Sequence, residues 1–365
     1  HGAVPATKEI EVARSKAIDL LQIVYQESSS DIDRLVILQH LSAASRTPMQ
    51  GQYTNALVAV ILRDSLKVAT FMSDVLAEAS FEIKKAIEHD AWDIYRILCL
   101  VAFDGDDDGT LQSLQAKLRP ATLKIRDALA ADNEYEIFKT LVSLDSVYPP
   151  AWDTSSFDFR RDDAWRSQRI ESYLADFTSA TAEHWWVRMD RCAASESIDL
   201  AAYRGLQELL GRLCEEKPEL VIPQLDSLPE NVARFLTLML SSLAKSSRKA
   251  ELKPILERWA KEGKHLRALT RHYRASKEVD VAVLADVFRM AVEKGEPLVA
   301  IELVATLVDT YGQPDKTGKS LLIEVIAWLK TQGRTDWVDE TWFMEKELSN
   351  LAKDLTHDQR GAMLG

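Results

Sequence analysis

The chain has 365 residues, 46% hydrophobic and 28% charged, a globular composition that excludes wholesale disorder. It holds only 13 glycines and 11 prolines, roughly half the usual share and too few turn formers for a β-sandwich or a loop-rich α/β enzyme. The net charge of −12 argues against a nucleic-acid partner, and no apolar run of about 18 residues is present to span a membrane.

The first residues, His1-Gly2-Ala3-Val4-Pro5, carry neither an initiator methionine nor the basic and apolar regions of a secretory signal. The start is therefore expected to be either a remnant of cloning or the beginning of an excerpt from a longer polypeptide. Cys99, Cys192 and Cys214 are odd in number and lack C-x-x-C spacing, so neither a disulfide framework nor a zinc ribbon is expected. Free thiols fit a cytoplasmic location.

Apolar residues recur at helical spacing from the start. Ile18, Leu21, Val24 and Tyr25 mark one helix, and Leu35, Leu38 and Leu41 a second. The spacing predicts helices over 8–27, 31–44, 53–79, 81–103, 111–130, 133–147, 162–177, 181–194, 198–215, 229–244, 252–262, 264–275, 280–293, 297–311, 319–331 and 336–353. In the 229–244 segment, Val232, Phe235, Leu236, Met239, Leu240 and Leu243 form one stripe. Ser227 and Glu230 have capping-box spacing there, and Pro229 suits a first turn. No segment shows the period-two alternation of a strand, so the fold class is all-α.

From about residue 195 onward helix pairs recur, as in an irregular α-solenoid of antiparallel HEAT- or tetratricopeptide-like hairpins. Tyr148-Pro149-Pro150-Ala151-Trp152 cannot continue a helix, because each proline removes a donor and restricts its predecessor. The expected division is an N-terminal helical unit at 1–148, a linker at 149–159 and a helical-repeat array at 160–365.

Between about 165 and 245, Trp165-Arg166, Arg169-Ile170, Trp186, Cys192-Ala193, Ser195-Glu196, Asp199-Leu200, Lys217-Pro218 and the Leu236/Leu240 helix follow in order. This pattern resembles the helical-repeat regions of large bacterial STAND-type NTPases, several of which serve in antiphage defence. The resemblance implies a sensor or scaffold segment whose NTPase core and effector lie elsewhere. It carries over no catalytic residue.

Asp104, Asp106 and Asp108 stand at positions 1, 3 and 5 of an EF-hand-like loop, with Gly109 at 6 and Thr110 at 7. Position 12 is Gln115, a neutral amide where a bidentate glutamate is usual, so any Ca2+ bound here is bound weakly. Apart from that ion no cofactor is implied. The run 313–320 lacks the first glycine of a P-loop, Glu262 and His265 lack a second E-x-x-H copy, and no G-x-S-x-G nucleophile motif occurs.

The strongest charge feature is Lys245–Lys277, with eleven Lys or Arg against three acids. Arg267, Arg271 and Arg274 stand at i, i+4 and i+7, with Lys264 and His265 just before them, forming either a solvated face offset by acidic neighbouring repeats or a docking face for an acidic protein surface. The sequence thus reads as a non-catalytic protein-interaction or sensor scaffold. Its alternative is a helical protein regulated by Ca2+ at 104–115.

Overall fold

The computed structural model describes residues 6–45, 54–103, 109–142, 146–153, 159–195, 200–276, 279–311, 318–342 and 344–357, and among them every regular element is helical. The fold is all-α. None of these helices is long and apolar enough to cross a membrane. The chain divides into two compact units, residues 1–173 with 195–206 and residues 174–194 with 207–365.

Unit 1 contains α1 (Lys8–Glu27), α2 (Asp31–Ser45), α3 (Asn55–Val75), α4 (Phe81–Ile94), α5 (Thr110–Ala131), α6 (Asn133–Val142) and most of α7 (Phe159–Asp176). Thr7, Thr54 and Ser80 start α1, α3 and α4 by accepting the N–H groups of Ile10, Leu57 and Ile83, which satisfies donors that no earlier turn could serve. The first turns of α3 are apolar all round, and Leu57 through Leu62 are each buried. A helix of that kind has no solvent face, and it packs against α1, α2 and α5.

The helix expected over 81–103 ends earlier. After Ile94 the backbone widens into a π turn, Tyr95–Cys99. The amide nitrogen of Gln115, on α5, donates to the carbonyls of Leu98 at 2.7 Å and Val101 at 2.8 Å. These carbonyls at the end of the helix thereby gain donors from outside it.

The described part of the expected linker is held within unit 1. Tyr148 and Trp152 are 1% and 2% exposed, Trp152 packs against Tyr95 with ring centroids 5.6 Å apart, and Trp92 donates to the Ala151 carbonyl at 3.1 Å. Two aromatic side chains thus anchor a segment whose prolines forbid a helix. Residues 154–158 lie outside the described residues. The chain passes between the compact units inside α7, again between residues 194 and 195, and within α9 (Arg204–Glu216). At the start of α9, a Cβ on Gly205 would stand 2.1 Å from the Thr140 carbonyl oxygen of α6, so only glycine permits this approach.

Unit 2 contains the end of α7, α8 (Ala182–Ala193), most of α9, α10 (Pro218–Val221), α11 (Leu236–Leu243), α12 (Leu252–Glu262), α13 (Leu266–Ala275), α14 (Val281–Lys294), α15 (Pro297–Tyr311), α16 (Lys319–Thr331), α17 (Trp337–Thr341) and α18 (Glu345–Asp354). Helices pack on their next-but-one neighbours, α11 on α13, α12 on α14 and α13 on α15, while α15 also touches α16, α17 and α18. Lys217 caps the end of α7 through the carbonyls of Leu174 and Phe177, at 2.5 and 2.6 Å.

The 229–244 segment is not one continuous helix. A 3-10 turn, Val232–Phe235, precedes α11, and the Ser227 hydroxyl reaches back to the Gln224 carbonyl. Asp190 of α8 accepts the Asn231 N–H at 3.0 Å, and Arg234 donates to the Ala193 carbonyl at 3.0 Å. These contacts from α8 take the place of the expected capping box. All six residues of the predicted stripe are nevertheless buried.

Candidate functional site

The basic residues singled out in the sequence lie around the turn from α12 to α13. Gly263 ends α12 with φ of 68°. His265 follows with φ of 53°, the only positive value at a non-glycine residue among those described. Its ring sits 4.7 Å from that of Trp259, and burial, aided by the Lys264 charge, lowers its pKa. His265 is therefore a packed turn residue beside the basic face. Lys264 pairs with Glu262 at 2.9 Å.

Arg267 and Arg271 converge on a single carboxylate, Glu302 of α15. Arg267 donates through Nε at 3.0 Å and Nη2 at 2.5 Å, and Arg271 through Nε at 3.2 Å and Nη2 at 2.7 Å. Their i, i+4 spacing puts both guanidinium groups on the face that meets α15. Glu302 is 15% exposed, whereas the arginine side chains are 51% and 52% exposed. The hydrogen bond to Glu302 holds Arg267 more firmly in its charged form. Arg274, one turn further on, is partly exposed and has interactions of its own.

Acidic groups of neighbouring helices and turns offset much of the remaining positive charge. Lys253 pairs with Asp280 at 3.1 Å, Arg258 with Asp226 at 2.5 Å, Lys245 with Glu215 at 3.5 Å and Arg248 with Glu251 at 2.5 Å. The hydrogen bonds of Arg258 and Trp259 hold the Asp226 carboxyl below its usual range. At the Arg267–Arg271–Glu302 centre, two cations hydrogen-bond one carboxylate, and Glu296 adds a weaker attraction to Arg267.

Of the Ca2+ candidates, Asp104, Asp106 and Asp108 lie outside the described residues. Thr110 opens α5, and Gln115 spends its amide protons on the end of the preceding helical segment. Among the described residues no group of three His, Cys, Asp or Glu side chains is arranged to hold a metal. The three cysteines are free thiols. Burial pushes the Cys99 thiol up to about 11, so it is protonated and unreactive near neutrality.

Two polar clusters in unit 1 were missed by sequence reasoning. A small cavity beside the π turn is lined by Ser42, Ser45, Asp90 and Asp93, but Ser42 already donates to Asp90 at 2.7 Å and Ser45 to the Ser42 carbonyl at 2.8 Å. The second cluster is a buried ion pair. Lys139 donates to Glu88 at 2.7 Å, with each side chain 4% exposed. The Tyr135 hydroxyl donates to the other Glu88 oxygen at 2.7 Å, and Lys139 also reaches the Val147 carbonyl at 3.2 Å. Beside it, the Tyr148 hydroxyl accepts from Arg166 at 3.0 and 2.6 Å.

Burial and the neighbouring Glu88 carboxylate push the Tyr135 phenol well above its usual range, so it serves as a hydrogen-bond donor. The sequence signal was slight: Glu88 interrupts the apolar positions Ile87 and Ala91, and Tyr135 and Lys139 share a face at i, i+4. Since these groups are bonded to one another inside the unit, the cluster reads as a clamp joining α4, α6 and the 146–153 segment.

Compared with protein-family models, with curated proteins and with solved structures, the chain matches none.

Proposed function

We propose that this chain is a non-catalytic protein-interaction module, an irregular helical solenoid acting as a sensor or scaffold segment of a larger bacterial STAND-type protein in the cytoplasm. Its ligand in this reading is an acidic protein surface, held by Arg267 and Arg271 with Arg274 and Lys264 at the edge. The observation that carries the reading is the excess of cation at this centre. Two half-exposed guanidinium groups share one largely buried carboxylate, which fixes their geometry and leaves positive charge facing solvent. Guanidinium groups held in place lose less freedom on binding a second carboxylate than mobile ones would. The next-but-one packing of α11 through α15 is the arrangement in which stacked hairpins present continuous surfaces.

The test measures binding of a poly-glutamate peptide by fluorescence anisotropy at low and raised salt. Glu302→Gln releases both arginines and is expected to tighten binding about threefold to tenfold, whereas Arg267→Glu with Arg271→Glu abolishes it. A Glu302→Gln variant that folds normally but binds no more peptide than the parent would reduce the cluster to internal charge compensation.

A further inference from the structure

Among the described residues, six exposed large apolar side chains lie on the first hairpin of unit 1. Leu20, Ile23 and Val24 on α1 are 63%, 49% and 50% exposed, Ile32 and Val36 at the start of α2 are 73% and 46%, and Val12 is 46%. Together they offer roughly 500 Å² of apolar surface, within the range that marks interaction sites on otherwise polar proteins. A standard interface takes about 800 Å² from each partner, about 65% of it apolar in homodimers, so the exposed apolar area of this hairpin is comparable to the apolar share of one.

The order of residues along α1 identifies the occupant. Lys16, Leu20, Ile23 and Glu27 stand at i, i+4, i+7 and i+11, all exposed. They form one stripe opposite the side that buries Ile18 and Tyr25. The stripe reads cation, apolar, apolar, anion, symmetric about the midpoint between Leu21 and Gln22. A second copy of α1 laid antiparallel across that midpoint puts Leu20 against the partner copy's equivalent of Ile23, and Lys16 against its equivalent of Glu27. The two-fold operation then makes each contact twice, as an isologous interface requires. Among the described residues no ion pair holds Lys16 or Glu27 within the chain, so both charges are available across the pair.

We propose that the α1 stripe is a self-association surface, on which two copies of this chain pair antiparallel through Leu20 and Ile23, with Lys16 and Glu27 setting register and direction. The stripe's spacing of four, three and four residues is the alternation of an antiparallel coiled-coil seam.

The experiment is sedimentation velocity and light scattering on the chain over a concentration series at low salt. A concentration-dependent dimer is expected. Leu20→Lys with Ile23→Lys should weaken it at least about a hundredfold, since both anchors are lost in both copies, while the circular dichroism spectrum and melting temperature of the exposed-site variant stay unchanged. Lys16→Glu alone sets like charges opposite one another and should weaken the dimer about tenfold. Adding Glu27→Lys restores opposite charges across the two-fold, and affinity should return to within about threefold of the parent. A chain that stays monomeric at about 100 μM overturns the proposal. So does a dimer indifferent to the two lysines, or a double charge swap that fails to rescue. A monomer that instead binds phosphatidylglycerol vesicles, and loses them with Leu20→Lys and Ile23→Lys, would assign the patch to lipid and equally overturn it.

Discussion

The two units bury titratable groups by opposite means. Unit 1 keeps a charged pair inside: Glu88 and Lys139 lie 2.7 Å apart, with Tyr135 and the Val147 carbonyl taking further hydrogen bonds. Unit 2 buries a single imidazole, His272, which is 5% exposed and whose Nδ1 has no partner among the described residues. Burial pushes its pKa down to about 4, so it is neutral near pH 7. A charge stays in an interior where an opposite charge and hydrogen bonds replace its water, and where they are missing the group gives up the charge. The first unit is therefore vulnerable to substitution, and the second to acid.

The largest effect is expected from breaking the pair. Lys139→Met leaves Glu88 buried without its counter-charge, a loss of about 3–5 kcal/mol that urea denaturation would detect. Adding Glu88→Gln removes the orphaned charge and should recover about half of it. A single variant as stable as the parent would show that the pair contributes only packing.

The acid response of unit 2 comes next. The folded-state pKa of His272 lies below the unfolded value near 6.5, so the unfolded chain takes up the proton first as pH falls. Its contribution is fully present above about pH 6.5 and is lost as pH falls toward 4, a change on the order of 3 kcal/mol. His272→Leu should remove that part of the slope, read as the difference between the parent and variant stability curves. Identical slopes would mean that the histidine is solvated or paired in solution.

The smallest effect extends the comparison to a neutral group of unit 1. Gln115→Glu replaces two donors by a carboxylate facing the Leu98 and Val101 carbonyls, at a cost of about 1–2 kcal/mol. Faster hydrogen exchange through 98–101 would register it. If the variant instead gained stability with Ca2+, the amide would be a ligand substitute and not a helix cap.

Local chemistry made much of the fold legible. Residues 252–262, 297–311 and 319–331 form helices with the expected limits, because Gly263 supplies the left-handed residue that closes α12 and Pro297 opens α15 with a ring already at helical φ. The basic face was legible as composition, and its arginines do share one side of α13. Its partner Glu302 was not legible, since it lies 35 residues from Arg267 and nothing local distinguishes it from other surface acids.

The sequence by itself determined the helical class, most helix limits and the alternation of apolar stripes with charged faces, because these depend on residues within one or two turns of each other. Only the tertiary structure decided where the helices yield. Asp190 holds Asn231 where the predicted helix start gives way to a 3-10 turn, Gln115 reaches across to end the segment after Ile94, and Trp152 carries the proline segment into the core of unit 1. In each case a partner distant in sequence satisfies a hydrogen bond or fills a space. The gain from that contact exceeds the small local preference it overrides, typically well under 1 kcal/mol per residue.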